Sequence, residues 1–189
     1  MREMTRFVCV GHSIIDTICQ VAAIRSTPTK VLANAYAEAG GGMAANASVA
    51  AARLGGIVHY WGRVGDDAPG ERASSPYSRP KGCELPPCAA SQEPDRRAPR
   101  VLVDDRGERL ICTYNDPALD ADATWLPIAS LIDVDVVLAD VRWPAGAARA
   151  LAVARAAGVP AVLDGDVAPV ATLRELCRCC DYAIFSQPV

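Results

Sequence analysis

The chain has 189 residues, with 19 Lys and Arg against 22 Asp and Glu, a net charge of −3. So slight a charge excludes bulk electrostatics as a driver towards nucleic acid or an anionic membrane surface. Hydrophobic residues make up 51% and charged residues 22%, the profile of a chain that folds around a core rather than a disordered one, and no run of about 18 uninterrupted apolar residues is present.

Met1 to Arg6 lead directly into Phe7-Val8-Cys9-Val10, an apolar run too short for a signal peptide, so a cytoplasmic chain is expected. Residues 6–11 read as a strand ending in Gly11, 14–22 as a second extended run and 31–38 as a third. Gly40-Gly41-Gly42 breaks the chain. Residues 43–54 are Ala-rich without Gly or Pro and predict a helix, closed by Gly55-Gly56. Residues 57–63 return to strand, Gly65-Asp66-Asp67 is a turn, and Pro69 suits the first turn of a helix.

From Ala73 to Arg100 the texture changes. Prolines stand at 76, 80, 86, 87, 94 and 99, Val, Ile and Phe are missing, and neither helical nor strand periodicity survives. Structureless loops of this length are uncommon in compact domains. A flexible insertion is one explanation and a segment translated in a shifted frame is another, the latter favoured by the resemblance described below.

Order resumes at Val101-Leu102-Val103, where Asp104-Asp105-Arg106-Gly107 signals a hairpin whose return strand runs from Glu108 to Tyr114. Residues 134–140 predict a buried strand, 145–157 a helix ending at Gly158, 159–163 a strand, 170–178 a helix and 182–186 a last strand. This alternation implies parallel βαβ units. The eight cysteines (9, 19, 83, 88, 112, 177, 179 and 180) are expected as free thiols, because no export signal accompanies them. Cys177-Arg178-Cys179-Cys180 has no matching His or second Cys pair, so no metal site is expected there.

Ligands of open α/β sheets bind beyond the carboxyl ends of the strands. Three groups of residues belong there. Gly41 and Gly42 allow close approach to the backbone and open a helix whose free N–H groups face a ligand; Asn46, one turn in, both donates and accepts, which suits a sugar hydroxyl. Asp16 stands in an otherwise apolar run, where a carboxylate can accept from two neighbouring hydroxyls; a solvent-facing edge residue is the alternative. Asp140, Arg142, Asp164 and Asp166 fall at the ends of two strands. Arg142 can grip a phosphate or sulfonate through its fork of donors, and the aspartates form a metal or phosphate neighbourhood able to organise Mg²⁺ through water. A plain Arg142–Asp pair tying two loops together is the alternative. His12 and His59 are read as structural or surface residues. Neither a Rossmann G-x-G-x-x-G run nor a Walker A run occurs.

Gly41-Gly42-Met43-Ala44-Ala45-Asn46, continued through Arg53-Leu54-Gly55 to Gly62-Arg63-Val64-Gly65-Asp66-Asp67, resembles the first signature of the ribokinase-like (PfkB) carbohydrate kinases. Val10-Gly11 with Asp16, and Val103 to Arg109, fit the same family. Within it, Val137-Leu138-Ala139-Asp140-Val141-Arg142-Trp143 and Val162-Leu163-Asp164-Gly165-Asp166 resemble the sulfofructose kinases. The resemblance covers about 1–72 and 101–189. It implies a three-layer α/β/α sandwich with a small β-sheet lid, C-terminally incomplete, with lid strands within 14–38 and 101–114. It also implies transfer of the ATP γ-phosphoryl group, with Mg²⁺, to a primary hydroxyl of a ketose-type sugar. Asp16, Gly41, Gly42 and Asn46 match the family's sugar-binding positions, and Arg142 is the candidate for an anionic group on the substrate. Family members often dimerise through the lid. The family's second signature, a Gly-Ala-Gly-Asp run that supplies the anion hole and the catalytic base, is not among these residues. The 189 residues are therefore expected to be inactive alone. A non-catalytic sugar-binding or interaction module and a non-functional gene fragment are the alternatives.

Overall fold

The computed structural model describes residues 4–65, 83–84, 89–91, 99–114, 119 and 121–186. The expected turn at Asp66-Asp67, the expected helix start at Pro69 and most of 73–100 lie outside them.

Strand β1 (Arg6–His12) occupies the middle of a parallel sheet, flanked by β4 (Ile57–Gly65) on one side and β9 (Val136–Asp140) on the other. Beyond β9 lie β10 (Ala161–Gly165) and β11 (Tyr182–Phe185). Two short strands, β5 (Cys83–Glu84) and β6 (Ala89–Ser91), pair with β4 in parallel, giving the seven-stranded order β11-β10-β9-β1-β4-β5 with β6 also on β4. Val8, Val10, Val137 and Ala139 are buried because β1 and β9 are covered on both faces.

Helix α1 (Met43–Arg53) lies against β1 and β4. Its small side chains, Ala44 and Ser48, are the buried ones, and the Ser48 hydroxyl bonds back to the Ala44 carbonyl at 2.7 Å. Helix α2 (Pro144–Ala156) begins with Pro at its first turn and is followed by Gly158 at φ +74°, a left-handed residue that lets the chain turn into β10. It packs Ala147, Ala150, Leu151 and Ala154 into the main core with Trp143, Leu131 and Leu163. Helix α3 (Val170–Cys179) adds Leu176. A short 3₁₀ helix at Ile128–Asp133 buries Leu131; periodicity did not reveal it, because six residues are too few to show a period.

A second sheet of four strands stands apart from the first, in the order β3-β2-β7-β8. It is made of β2 (Ile14–Val21), β3 (Ala35–Gly41), β7 (Arg100–Asp104) and β8 (Arg109–Cys112). The β7–β8 hairpin turns where expected: Asp104 Oδ1 accepts from the Arg106 and Glu108 N–H groups, and Gly107 sits at φ +84°. Strand β3 starts later than the pattern suggests and runs through Gly40 and Gly41, since Gly41 still pairs with Ile14 of β2. The break falls at Gly42 alone, at φ +104°. Cys9, Cys19, Cys112, Cys177, Cys179 and Cys180 are free thiols. Among these residues no helix is long and apolar enough to cross a membrane.

Candidate functional site

The carboxyl ends of β1, β4, β9 and β10 come into one row. Gly11 pairs with Gly62 and His12 with Arg63 across β1–β4, Val10 pairs with Ala139 across β1–β9, and Asp164 pairs with Asp140 across β9–β10. The chain leaves β1 through His12 and Ser13, forms the antiparallel pair β2–β3, and returns at Gly41-Gly42 to open α1. A Cβ on Gly42 would overlap the His12 carbonyl oxygen, so the return passes against the end of β1 only because Gly42 has none.

Asp16 and Gly41 are neighbours across β2 and β3. A Cβ on Gly41 would overlap the Asp16 carboxylate, which therefore lies against the glycine backbone. Burial alone raises the Asp16 carboxyl above its ordinary range. Asn46 is exposed, one turn into α1, and its N–H bonds to the Gly42 carbonyl at 2.8 Å.

Asp140 is fully buried at the end of β9. Its Oδ2 accepts the Ala44 N–H at 3.1 Å and its Oδ1 accepts the Arg142 N–H at 2.8 Å. His12 Nδ1 stands 4.0 Å from the same Oδ2. Burial pushes the Asp140 carboxyl up to about 6, against the two N–H donors and the Arg142 charge, which act to lower it. Asp164, in register beside it, is also raised, by burial first and then by the Asp166 charge.

Arg142 reaches over to the loop after β10. One guanidinium nitrogen donates to Asp166 at 2.5 Å and another to the Val167 carbonyl at 2.9 Å. The loop-tying pair foreseen as the alternative for Arg142 is thus formed with Asp166, and it leaves further N–H donors on the fork. Among the described residues no three His, Cys, Asp or Glu side chains converge as a metal site. Both Asp140 oxygens face backbone donors, and one Asp166 oxygen faces Arg142.

Arg63 is the residue that sequence reasoning missed. It is buried, donates to the Leu119 carbonyl at 3.3 Å and to the Arg142 carbonyl at 3.2 Å, and lies over the Trp143 ring. Trp143 stacks on Trp125 with 5.5 Å between centroids. A charged residue within the apolar run Tyr60-Trp61-Gly62-Arg63-Val64 was the available signal.

Comparison with known proteins places this arrangement. The model of the pfkB family carbohydrate kinases matches residues 4–188. A solved ribokinase candidate from Agrobacterium tumefaciens is 36% identical over 97% of this chain and 60% of its own, with a TM-score of 0.83. Arabidopsis thaliana ribokinase, solved with ribose and ATP, is 19% identical over 97% of this chain and 60% of its own, with a TM-score of 0.69. Xylella fastidiosa fructokinase, solved with ATP, is 22% identical over 96% of this chain and 61% of its own, with a TM-score of 0.68. The chain spans about 60% of the length of these structures.

Proposed function

The chain belongs to the pfkB family of carbohydrate kinases, and from that premise we propose that its residues bind a ketose-type sugar between the lid and the carboxyl ends of β1 and β9. The observation that carries this is the Asp16–Gly41 contact. A half-buried carboxylate laid along a bare glycine backbone offers two acceptors to adjacent sugar hydroxyls, with no Cβ to hold the ring away. Gly42 opens α1 beside it, and Asn46 adds a donor and acceptor one turn on.

Arg142 is the proposed anion reader. Asp166 and Val167 fix its fork in place, so its remaining donors are preorganised. Among ketoses this favours one carrying an anionic group such as a sulfonate, as the resemblance to sulfofructose kinases suggests.

ATP is the proposed phosphoryl donor; it would supply the transferred group, and Mg²⁺ would neutralise its charge. Among the described residues no three His, Cys, Asp or Glu side chains converge on a metal position. The 189 residues contain no Gly-Ala-Gly-Asp run, and their proposed part is capture and orientation of the sugar.

Calorimetric titration of fructose and of sulfofructose into the chain tests the proposal. Saturable binding of either supports the sugar site, and Arg142→Ala is expected to weaken sulfofructose by about tenfold or more while sparing fructose. Equal losses for both sugars refute the anion-reading role, and no binding of either refutes the sugar site.

A further inference from the structure

We propose that Asp140 is a positioning residue that holds the glycine loop and Arg142 in register with each other; its bearing on substrate rests on the sugar-site reading above. Ala44 is the second residue of α1, and an N–H at that position has no acceptor within its own helix. Gly42, at the N-cap, has no side chain to supply one. The acceptor comes instead from Asp140, 96 residues further along the chain and on another strand. The second oxygen of the same carboxylate fixes the Arg142 N–H, the point where the chain turns out of β9. One buried group therefore sets two backbone positions that must agree if a ligand is to touch both.

Gly11 is an independent mark of the arrangement. It lies between β9 and α1, and a Cβ there would overlap both the Asp140 carboxylate and the Ala44 side chain. The carboxylate can reach the helix only across a glycine. The charged and titratable groups around it are His12 on β1, Asp164 in register on β10, and Arg142 on its own loop.

Residue-resolved amide hydrogen exchange on the 189-residue chain tests this. In the wild-type chain the Ala44 and Arg142 amides are expected to be protected about a hundredfold or more; rapid exchange at either overturns the proposal without any variant. Asp140→Asn keeps one acceptor oxygen for two donors. At least one of the two amides is then expected to exchange roughly ten- to a hundredfold faster, with the core amides of Val137 and Leu163 unchanged. Uniform acceleration through the core, or none anywhere, overturns it. Gly11→Ala displaces the carboxylate without altering it and is expected to reproduce the local pattern. Where the wild-type chain binds fructose, Asp140→Asn is expected to weaken it about tenfold, and unchanged affinity overturns the link to substrate. Should wild type bind neither fructose nor sulfofructose, the sugar site fails, and the exchange data still decide the role of Asp140.

Discussion

The Arg63 guanidinium lies 5.2 Å above the centre of the Trp143 ring and donates to the carbonyl of Arg142, the residue just before that tryptophan. Arg142 is thereby held at three points: its N–H by Asp140, its carbonyl by Arg63 and its side chain by Asp166. A long side chain that is to read a ligand gains from this, because little rotamer freedom is left to lose on binding.

Truncating Arg63 should be costly. Arg63→Ala removes donors from two carbonyls, uncovers Trp143 and leaves a cavity at the end of β4. A loss of about 2–4 kcal/mol is expected, read as a lower urea midpoint at unchanged slope. Arg63→Lys should recover less than half of it, since an ammonium cannot stack on the ring and span both carbonyls as the planar fork does.

Three glycines should rank by geometry rather than by sequence context. Gly42 combines φ +104° with a Cβ position blocked by the His12 carbonyl, Gly55 has φ +92° but open space, and Gly40 has neither burden. Substitution by Ala is expected to cost about 2 kcal/mol or more at Gly42 and about 1 kcal/mol at Gly55. At Gly40 it should be neutral or stabilise by up to about 1 kcal/mol through the unfolded chain. Thermal midpoints of the three variants check the order.

The strands and helices of the parallel sheet were legible because their signals are local. Val8, Val10, Val137 and Leu163 sit in short apolar runs between turn residues, and α1 and α2 are rich in alanine. Gly41, Gly42 and Asp16 were legible as a motif, and their contact follows from the lid register. The roles of Asp140 and Arg63 were not. The bonds of Asp140 to the Ala44 and Arg142 N–H groups are made to backbone, which has no signature in the sequence. Arg63 depends on Leu119, Arg142 and Trp143, all more than fifty residues away, and only the sheet register brings them together.

Stability should carry a pH signature from Asp140. Its carboxyl rises from an ordinary 3.8 to about 6, chiefly through burial. The folded chain therefore holds this proton more tightly than the unfolded chain does. The associated stabilisation is complete below the unfolded value and is lost as pH rises through about 6. The shift corresponds to roughly 3 kcal/mol. Asp140→Asn cannot titrate, so the stability of wild type relative to this variant should fall by that order between about pH 4 and pH 7. Urea midpoints of both proteins at those two values measure it, and a constant difference would remove Asp140 as the source. Asp16, raised in the same direction, is present in both proteins and cancels, whereas Asp164 interacts with Asp140 and its part of the difference is counted with that of Asp140.

The lid supports a last expectation. Its outer strands, β3 and β8, are edges of the four-stranded sheet, and Tyr36, Leu110 and Ile111 on them are 63%, 52% and 56% exposed. Exposed apolar side chains on an open strand edge invite a partner, and a second copy of this sheet, meeting it at the β8 edge, is the one proposed. Sedimentation velocity should then show a concentration-dependent dimer that Ile111→Glu abolishes. Because Ile111 is exposed, the change should leave the unfolding midpoint of the monomer within about 0.5 kcal/mol of wild type. A wild-type chain that stays monomeric at high concentration would refute the dimer, and a dimer indifferent to this charge would place the contact elsewhere. If the dimer forms, it covers β8, which pairs with β7, the neighbour of β2, and Asp16 on β2 should lose conformational freedom with it. Sugar affinity would then rise with protein concentration in wild type and not in Ile111→Glu, which ties the lid interface to the proposed site in a single titration series.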